Sequence, residues 1–387
     1  MPGDFSVLIE AMRNRYLDLL RAVAVARVVV YHVTGWSALT VVFPAMSVMF
    51  ALGGSMMAAS LDRSGPLAVE RRLSRLLPSL WVLSAIAVPA MLIGGLAWDW
   101  RLLFWFFPVQ DPPAAGRWTE ALSATWYLRD FLWFVLLSPL LLPVFRRFPL
   151  LVVALPYAAL ALITLAGLTP HTLVRDLCLY GGAWFLGFAH HDGLLRHRRL
   201  LPVAGILAAS ALAWILTHPG PRGFDLNDDP LGNALWSGAF ILVVLRFAPV
   251  VREHRLVTVL NARALTIYLW HVPVVVLITH AGEDAGWPVR GALGIGWRLV
   301  VVCALVALVV LVTGWVEDLA ATRKPALVPP IVTPARQDGR HDVHTRPGTP
   351  HVLRPRVRQH PRRVPHLGRE HDLPARRRAE QLRGVRG

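Results

Sequence analysis

Four ionisable side chains interrupt an apolar segment near the start of the chain, RYLDLLRAVAVARVVVYH (residues 15–32). They are Asp18, Arg21, Arg27 and His32. A charged side chain inside a membrane costs at least a few kcal/mol and is seldom kept without a use. On an ideal helix Asp18, Arg21 and His32 share one face, with Arg21 and His32 about 16 Å apart along the axis, whereas Arg27 points the opposite way. We expect Asp18 and Arg21 to pair across one turn.

His32 can exchange a proton near neutral pH, because the usual pKa of an imidazole is close to 6.5. It could therefore act as a general base, or as a nucleophile that carries a group covalently. The alternative is a structural histidine that bonds a neighbouring helix. For Arg27 we predict a structural ion pair inside the membrane, with Asp130 or Glu317 as its partner.

The elements that hold these side chains are predicted from composition. The chain has 387 residues, of which 55% are hydrophobic, and its mean hydropathy is +0.48. Apolar runs of about 20 residues, long enough to cross a bilayer, recur along it. The sequence predicts an all-α polytopic membrane protein with about ten transmembrane helices, near 17–37, 41–60, 76–97, 126–145, 150–168, 177–190, 200–217, 233–249, 262–281 and 293–315. The apolar stretch 101–109 is too short to cross and is expected at the interface.

Basic residues predict the orientation of these helices. Alternate loops contain sixteen of them, and the intervening loops contain five: Arg101, Arg117, Arg175, Arg222 and Arg290. Both termini are therefore expected in the cytoplasm. The loop segment Asp225–Asp229 is expected to be a solvated turn with a helix N-cap, the alternative being a weak calcium or sugar contact.

Residues 325–387 have a different composition, rich in Arg, Pro and His and without Phe, Trp or Tyr. Such a segment cannot bury enough apolar surface to fold, so we predict a disordered cytoplasmic tail. It is expected to be solvated or to touch anionic lipids. Nucleic-acid binding is not expected, because no aromatic residue interleaves the charges.

Three motifs in order along the chain resemble the bacterial integral-membrane acyltransferases called acyltransferase family 3. The first is Leu17-Asp18-x-x-Arg21 followed by His32, the second is Arg72-x-x-Arg75, and the third is Tyr268-x-x-His271-x-Pro273. Weaker matches are "ATWYLRDFLWF", which contains Trp126, and "GWVEDLA", which contains Glu317. The resemblance covers residues 1–320. It departs from the family where Gly53-Gly54 stands in place of a usual Ser-Gly pair.

The resemblance implies transfer of an acyl group, often acetyl, from cytoplasmic acyl-CoA to a hydroxyl. Acceptors in such families are usually carbohydrates of surface glycans or glycolipids, and sometimes small metabolites. By this resemblance His32 is the general base or acyl carrier and Arg21, held by Asp18, orients the donor or stabilises developing negative charge. Arg72 and Arg75 are expected to bind the donor's phosphates, although a basic cytoplasmic loop alone would also explain them.

Tyr268, His271, Trp126 and Glu317 are the remaining candidates for the cavity, with core packing as the alternative. No metal and no cofactor besides the co-substrate acyl-CoA is expected, because His190, His191 and His197 do not have the spacing of a closed zinc site. The expected location is the bacterial cytoplasmic membrane, and the sequence predicts no oligomeric state. A transporter or flippase for a lipid-linked sugar is the alternative function, and a non-catalytic scaffold is a third.

Overall fold

The computed structural model describes residues 3–197, 200–247, 249, 251–252 and 254–326, and residues 3–14 by their backbone alone. Apart from one isolated bridge between Gly220 and Gly223, the regular elements of this part of the chain are helices. The α-helices are α1 (Gly3–Thr34), α2 (Ala38–Val42), α3 (Ala45–Ser64), α4 (Leu67–Ile93), α5 (Arg117–Ala121), α6 (Trp126–Arg147), α7 (Pro149–Leu165), α8 (Thr172–His191), α9 (Leu200–Thr217), α10 (Pro230–Val244), α11 (Arg255–Ala262), α12 (Ala264–Asp284), α13 (Gly291–Thr313) and α14 (Trp315–Ala320). The all-α prediction is confirmed.

Six helical segments of the described chain are long and apolar enough to cross a membrane. They are Ala38–Ser64, Leu67–Ile93, Arg117–Arg147, Leu200–Thr217, Ala264–Asp284 and Gly291–Thr313. The helices α7 and α10 are apolar but shorter, and α1 and α8 occupy the two remaining predicted spans. A helix thus lies at each predicted span, and the count of ten crossings stays a prediction.

The outward faces of several helices are covered with exposed aliphatic side chains. Examples are Leu155 on α7, Ile206 on α9, and Val300 and Leu308 on α13. Exposed aliphatic surface on this scale is unusual for a protein in water and suits contact with lipid chains. The stretch near 101–109 forms only a short 3₁₀ helix, Trp100–Trp105, as expected of a segment that does not cross.

Helix α1 runs through the bundle and packs against α3, α11, α12 and α13. Ala24, Val25 and Val28 are buried in these contacts. The helix ends at Gly35, whose φ of +68° allows its N–H to donate to the Tyr31 carbonyl at 2.7 Å. A glycine at this position is the usual C-terminal stop, because other residues are strained at positive φ. Arg21 and His32 therefore stand at different depths on one continuous helix.

Helices α3 and α8 approach so closely that their contact needs glycines. A Cβ on Gly54 would run into the carbonyl of Trp184, and one on Gly187 would run into the carbonyl of Ala51. At Gly53 a Cβ would lie 2.7 Å from the ring of Phe131 and 2.8 Å from the ring of Trp184. A serine at position 53 would therefore require these rings to move.

Two buried ion-pair clusters, one around Arg129 and one around Arg263, stabilise the two ends of the helical bundle. Arg129, which is 1% exposed, binds Asp130 at 2.8 Å and Asp176 at 2.6 Å and also contacts Asp111. At the other end Arg263 donates to Asp318 at 2.6 Å. A buried guanidinium must be paired in this way, since an unpaired charge there would be strongly destabilising.

The predicted tail starts at residue 325, and the backbone of Ala326 contacts the helical domain. The Ala326 carbonyl accepts a 2.6 Å hydrogen bond from Arg263, and the Ala326 N–H donates to Asp318 at 3.2 Å. Ala326 therefore helps to satisfy the buried Arg263–Asp318 ion pair, and the start of the tail stays a prediction. The predicted disorder of residues 327–387 lies outside the described residues.

The segment Asp225–Asp229 contains the predicted N-cap but is not a simple solvated turn. Asp229 caps α10, since its carboxylate accepts from the Gly232 N–H at 3.0 Å. Asp225 is instead buried and accepts a 2.6 Å hydrogen bond from the Tyr31 hydroxyl. The loop is thereby attached to the end of α1, which a solvated turn would not be.

Candidate active site

Two cavities lie at opposite ends of helix α1. The larger, which we call the basic cavity, has a volume of about 1130 Å³ and is lined by Arg15, Asp18 and Arg21 from α1. The smaller, which we call the polar cavity, has a volume of about 560 Å³ and is lined by Arg27, Val28, Tyr31 and His32. The predicted catalytic residues of α1 are therefore divided between two compartments.

The basic cavity has a strong excess of positive charge. Its described lining contains eight cationic side chains: Arg15, Arg21, Arg63, Arg72, Arg75, Arg252, Arg323 and Lys324. Only three carboxylates face them, those of Asp18, Glu317 and Asp318. Since Asp318 is bound to Arg263 and Arg323, most of the positive charge is not neutralised. Such a cavity favours a polyanionic ligand.

Arg21 is held by two neighbours on the wall of the basic cavity. Its guanidinium lies 3.7 Å from the Asp18 carboxylate, which confirms the predicted pair, and 3.5 Å from the amide oxygen of Asn261. The Asn261 amide nitrogen in turn donates to the Asp18 carbonyl at 2.6 Å and to the Val257 carbonyl at 2.9 Å. Asn261 thus connects α11 to α1 at the position where Arg21 leaves the helix.

Asn261 is absent from the sequence predictions. The sequence contains only a weak signal for this role. Asn261 is a single amide residue between Leu260 and Ala262, immediately before the span predicted to begin at residue 262. Sequence spacing alone could not place it beside Arg21, which is 240 positions away.

Arg72 and Arg75 lie one turn apart near the start of α4 and both line the basic cavity. Arg72 is half-buried, and Arg21, Arg75 and Arg63 are the neighbouring charges that repel it. No carboxylate of the described residues forms an ion pair with Arg63, Arg72 or Arg75. Phosphate oxygens would relieve this repulsion, and guanidinium forks bind them in two-point contacts.

Glu317 lines the same cavity but is bound at the start of α12. Its carboxylate accepts a 2.6 Å hydrogen bond from the Thr266 N–H, one of the otherwise unpaired donors of that helix end. Burial raises the pKa of Glu317, although this hydrogen bond opposes the effect. The geometry makes Glu317 a cap that fixes the helix carrying Tyr268 and His271.

His32 opens into the polar cavity beside two rings. The His271 ring lies 5.0 Å from it between centroids, and the Tyr31 ring lies 5.3 Å from it. Behind His32, the buried His271 uses Nδ1 in a 2.6 Å contact with the Tyr268 carbonyl, and its Nε2 has no hydrogen-bond partner among the described residues. The His32 imidazole is thus accessible from the cavity and supported from behind by a second imidazole.

Arg27 does not fulfil its predicted role. Its guanidinium donates to the Leu39 carbonyl at 3.0 Å and lies 4.9 Å from the centre of the Tyr31 ring. The proposed partners are elsewhere: Asp130 binds Arg129, and Glu317 lines the other cavity. The helical wheel placed Arg27 opposite His32, but the polar cavity wraps around the end of α1 and takes in both side chains.

The rest of the polar cavity's lining combines aromatic faces with charged groups. Trp126 stacks on Tyr180 with 5.3 Å between ring centres, and both line the polar cavity. Arg222 and Asp228 form a 2.6 Å ion pair on the loop above, and Arg222 also donates to the Tyr31 hydroxyl at 2.8 Å. The hydrogen bonds from Arg222 hold the pKa of Asp228 below its usual range. Stacked rings beside paired charges are suited to a polar, hydroxyl-bearing molecule.

Tyr268 is the one described residue that lines both cavities. Its side chain is 3% exposed, and its hydroxyl donates to the Ala124 carbonyl at 2.9 Å. His271 lies one turn further along α12, next to His32. The structure therefore brings Tyr268, His271 and Trp126 to the polar cavity region and Glu317 to the basic cavity.

One group of described residues has the geometry of a possible metal site, away from both cavities. It consists of Asp62, His191 and Asp192. Arg146 already binds Asp62 at 2.8 Å and Asp192 at 2.9 Å, and His191 contacts Asp62 at 2.8 Å. The carboxylates are thus engaged in an ion-pair network that ties α3, α6 and α8 together.

Comparison with known proteins supports the same reading of the chain. The family model described as an acyltransferase domain, acyltransferase family 3, matches residues 14–314. Neither the curated proteins nor the solved structures provide a match. The matched region contains α1 to α13 almost entirely, including the residues of α1 and α4 that line the basic cavity and the histidines beside the polar cavity. The apolar helices and the family together make this a multi-pass membrane protein. The chain belongs to acyltransferase family 3 and is an acyltransferase.

Proposed function

We propose that the enzyme transfers an acyl group, acetyl in the first instance, from acyl-CoA in the basic cavity to an acceptor hydroxyl in the polar cavity. The observation that carries the proposal is the division of α1 between these compartments, with Arg21 in one and His32 in the other. The basic cavity also contains an imidazole, that of His254, but its Nδ1 accepts a hydrogen bond from the Leu256 N–H at 3.3 Å as the cap of α11. A transfer reaction must both hold a charged donor and deprotonate an acceptor, and the proposal assigns the first task to the arginines of the basic cavity and the second to His32.

The donor assignment rests on charge. Coenzyme A carries a diphosphate and a further phosphate on its ribose. The basic cavity offers three arginines that form no ion pair with a carboxylate of the described residues, Arg63, Arg72 and Arg75. Arg21 lies on α1, on the part of the basic cavity's wall that leads towards His32. There it would contact the thioester end of acyl-CoA rather than the nucleotide end. Its guanidinium would orient the donor so that the thioester points along α1 towards His32.

The chemistry assigned to His32 is a proton transfer. The neutral imidazole accepts the proton of the acceptor hydroxyl while the hydroxyl oxygen bonds to the acyl carbon. The carbon–sulfur bond then breaks, and the proton passes from the imidazolium to the CoA sulfur, so that ester and free thiol are the products. In the alternative course His32 itself takes the acyl group and passes it on. His271 would hold the His32 ring in position.

The acceptor is proposed to be a carbohydrate, free or on a lipid or glycan. Support comes from the stacked rings of Trp126 and Tyr180, which offer an apolar face, and from Arg222 and Asp228, which offer donors and acceptors. The cavity lining carries both signs of charge, so a neutral polyhydroxyl compound fits it better than a strongly charged one.

In the membrane we propose ten crossings with both termini in the cytoplasm of a bacterial cell. The basic cavity then opens to the cytoplasm, where acyl-CoA is found, and the polar cavity opens to the outside. Single cysteines at Ser64 and Gly116, in a protein whose Cys178 and Cys303 are replaced by alanine, test this. A membrane-impermeant maleimide applied to intact spheroplasts should label position 116 and leave position 64 unlabelled. The opposite labelling would invert the proposed orientation.

Acetyl-CoA turnover by the purified protein in nanodiscs tests the function. We expect free CoA to be released when a panel of methyl glycosides is supplied, with an acetylated glycoside found by mass spectrometry. The same preparation of His32→Ala is the control. Because Cys178 and Cys303 are free thiols, product should be followed by mass rather than by a thiol reagent.

A transporter or flippase for a lipid-linked sugar is the second candidate, favoured by a polar cavity inside an apolar bundle. It differs from the enzyme in one measurable respect. A transporter does not consume acetyl-CoA. If wild type consumes acetyl-CoA and His32→Ala does not, transport cannot be the only activity.

A further inference from the structure

The barrier between the two cavities is thin at one point. Along α1 it consists of Ala24 and Val25, which are buried between Arg21 on one side and Val28 on the other. Across from them stands Tyr268, the described residue that borders both cavities. At Tyr268 a single residue therefore borders both compartments.

The Tyr268 ring is held in the barrier from several sides. Its hydroxyl donates to the Ala124 carbonyl at 2.9 Å, and Ala124 itself lines the polar cavity. The Tyr127 ring lies 4.9 Å away on the basic side, and the His271 ring lies 5.5 Å away on the other. Rings at these separations are in packing contact, so water would have to displace Tyr268 in order to pass.

We infer that Tyr268 is the gate between the donor and acceptor compartments and that it determines transfer to a hydroxyl over transfer to water. The inference rests on the proposed function, in which the thioester enters from the basic cavity and His32 waits in the polar cavity. With the ring in place, water in the polar cavity has no path to a thioester in the basic cavity. The thioester reaches His32 by turning this one ring aside.

The competing reaction is hydrolysis. A water oxygen bonds to the acyl carbon, the carbon–sulfur bond breaks, and the sulfur takes a proton, which yields a carboxylic acid and CoA. His32 could deprotonate water as readily as a sugar hydroxyl, so a group that limits water access is what preserves the donor. Tyr268 is a positioning residue in this scheme, since it acts on access and takes no part in bond making.

Acetyl-CoA hydrolysis without any acceptor tests the inference, together with proton flux across proteoliposomes that contain a pH-sensitive dye. For Tyr268→Ala we expect hydrolysis to rise about tenfold and proton flux to rise clearly above the wild-type level, because removal of the ring joins the cavities. Tyr268→Phe keeps the ring and loses only its bond to Ala124, so both readouts should stay within about threefold of wild type. Phe134→Ala is the matched control, as it truncates a buried ring that lines neither cavity.

The outcomes separate this inference from the proposed function. A folded Tyr268→Ala that leaves both hydrolysis and flux unchanged overturns the gate. The gate is also overturned if Phe134→Ala raises both readouts as much as Tyr268→Ala does. If Tyr268→Ala does not fold, the smaller truncation Tyr268→Leu takes its place. A rise in hydrolysis and proton flux in Tyr268→Leu supports the gate, and unchanged hydrolysis and flux overturn it. Should wild type fail to bind acetyl-CoA, the proposed function fails, while the proton flux still decides whether Tyr268 seals the barrier.

Discussion

Replacement of Arg72 by alanine should weaken acyl-CoA binding without harming the fold. Arg72 lines the basic cavity and has no carboxylate partner among the described residues, while Arg21, Arg75 and Arg63 repel it. Loss of the guanidinium therefore leaves no buried carboxylate unpaired. The free energy of unfolding should stay the same or rise, because like-charge repulsion is relieved.

The expected magnitude follows from the lost contact. A hydrogen bond to a charged group contributes about 1.5–3 kcal/mol, and about 1.4 kcal/mol corresponds to a factor of ten. Because Arg72 is half-buried, its phosphate contact should lie in this range and KM for acetyl-CoA should rise roughly 10- to 100-fold. Arg75 is exposed, so solvent screens its contact and its loss should raise KM by only about two- to fivefold.

The assay is acetyl-CoA turnover in nanodiscs over a range of donor concentrations, with thermal unfolding of each variant as the check on folding. Arg71→Ala is the matched control, since Arg71 is exposed on the same helix turn and does not line the cavity. Arg72→Lys should recover part of the loss, because it restores the charge but not the fork. An unchanged KM for Arg72→Ala, or an equal rise for Arg71→Ala, would refute the assignment of the donor to this cavity.

Three further outcomes are expected. Asn261→Ala should lower kcat about tenfold with little change in the KM for acetyl-CoA, because Arg21 loses one of the groups that position it. Asn261→Asp keeps an acceptor for Arg21 and should recover part of the lost kcat. An equal loss of kcat in both variants would mean that Asn261 only connects α11 to α1. The pKa of Asp228 is lowered in the folded state, so its pairing with Arg222 stabilises the fold above the unfolded-state pKa of about 3.9 and is lost as the pH falls through the folded-state pKa. The melting temperature of wild type should therefore exceed that of Asp228→Asn at pH 6, and the difference should shrink as the pH is lowered below about 3.9; a difference that does not change with pH would contradict this. A protein truncated after Ala326 should insert into the membrane and turn over acetyl-CoA as wild type does. Truncation after Lys324 should lower the melting temperature, because it removes the contacts of Ala326 with Arg263 and Asp318. Equal melting temperatures for the two truncated proteins would contradict this.

Local pattern was enough to predict the helices and the Asp18–Arg21 pair. Apolar runs of bilayer length and the spacing of residues on one helix depend only on neighbouring positions. The predicted spans therefore coincide with helices, and the pair lies 3.7 Å apart. The hydrogen bond between Ala326 and Arg263 could not be predicted in this way, because the two residues are 63 positions apart.

Contacts between distant segments could not be predicted. The wheel treated α1 as an isolated cylinder, so it separated Arg27 from His32, which the polar cavity brings together. Asn261 reaches Arg21 only through the packing of α11 on α1, and Asp225 reaches Tyr31 only because its loop folds over the end of the bundle. Such contacts depend on tertiary packing, which no periodicity in one sequence encodes.

The division of α1 between a donor compartment and a proton-transfer compartment is the central claim. Its most direct test is single-turnover consumption of acetyl-CoA by His32→Ala beside wild type, together with the dissociation constant of acetyl-CoA for both, normalised to folded protein. We predict a rate at least roughly 10²-fold lower and an unchanged dissociation constant, because His32 does not line the basic cavity. A His32→Ala protein that binds acetyl-CoA and consumes it at the wild-type rate would contradict the claim.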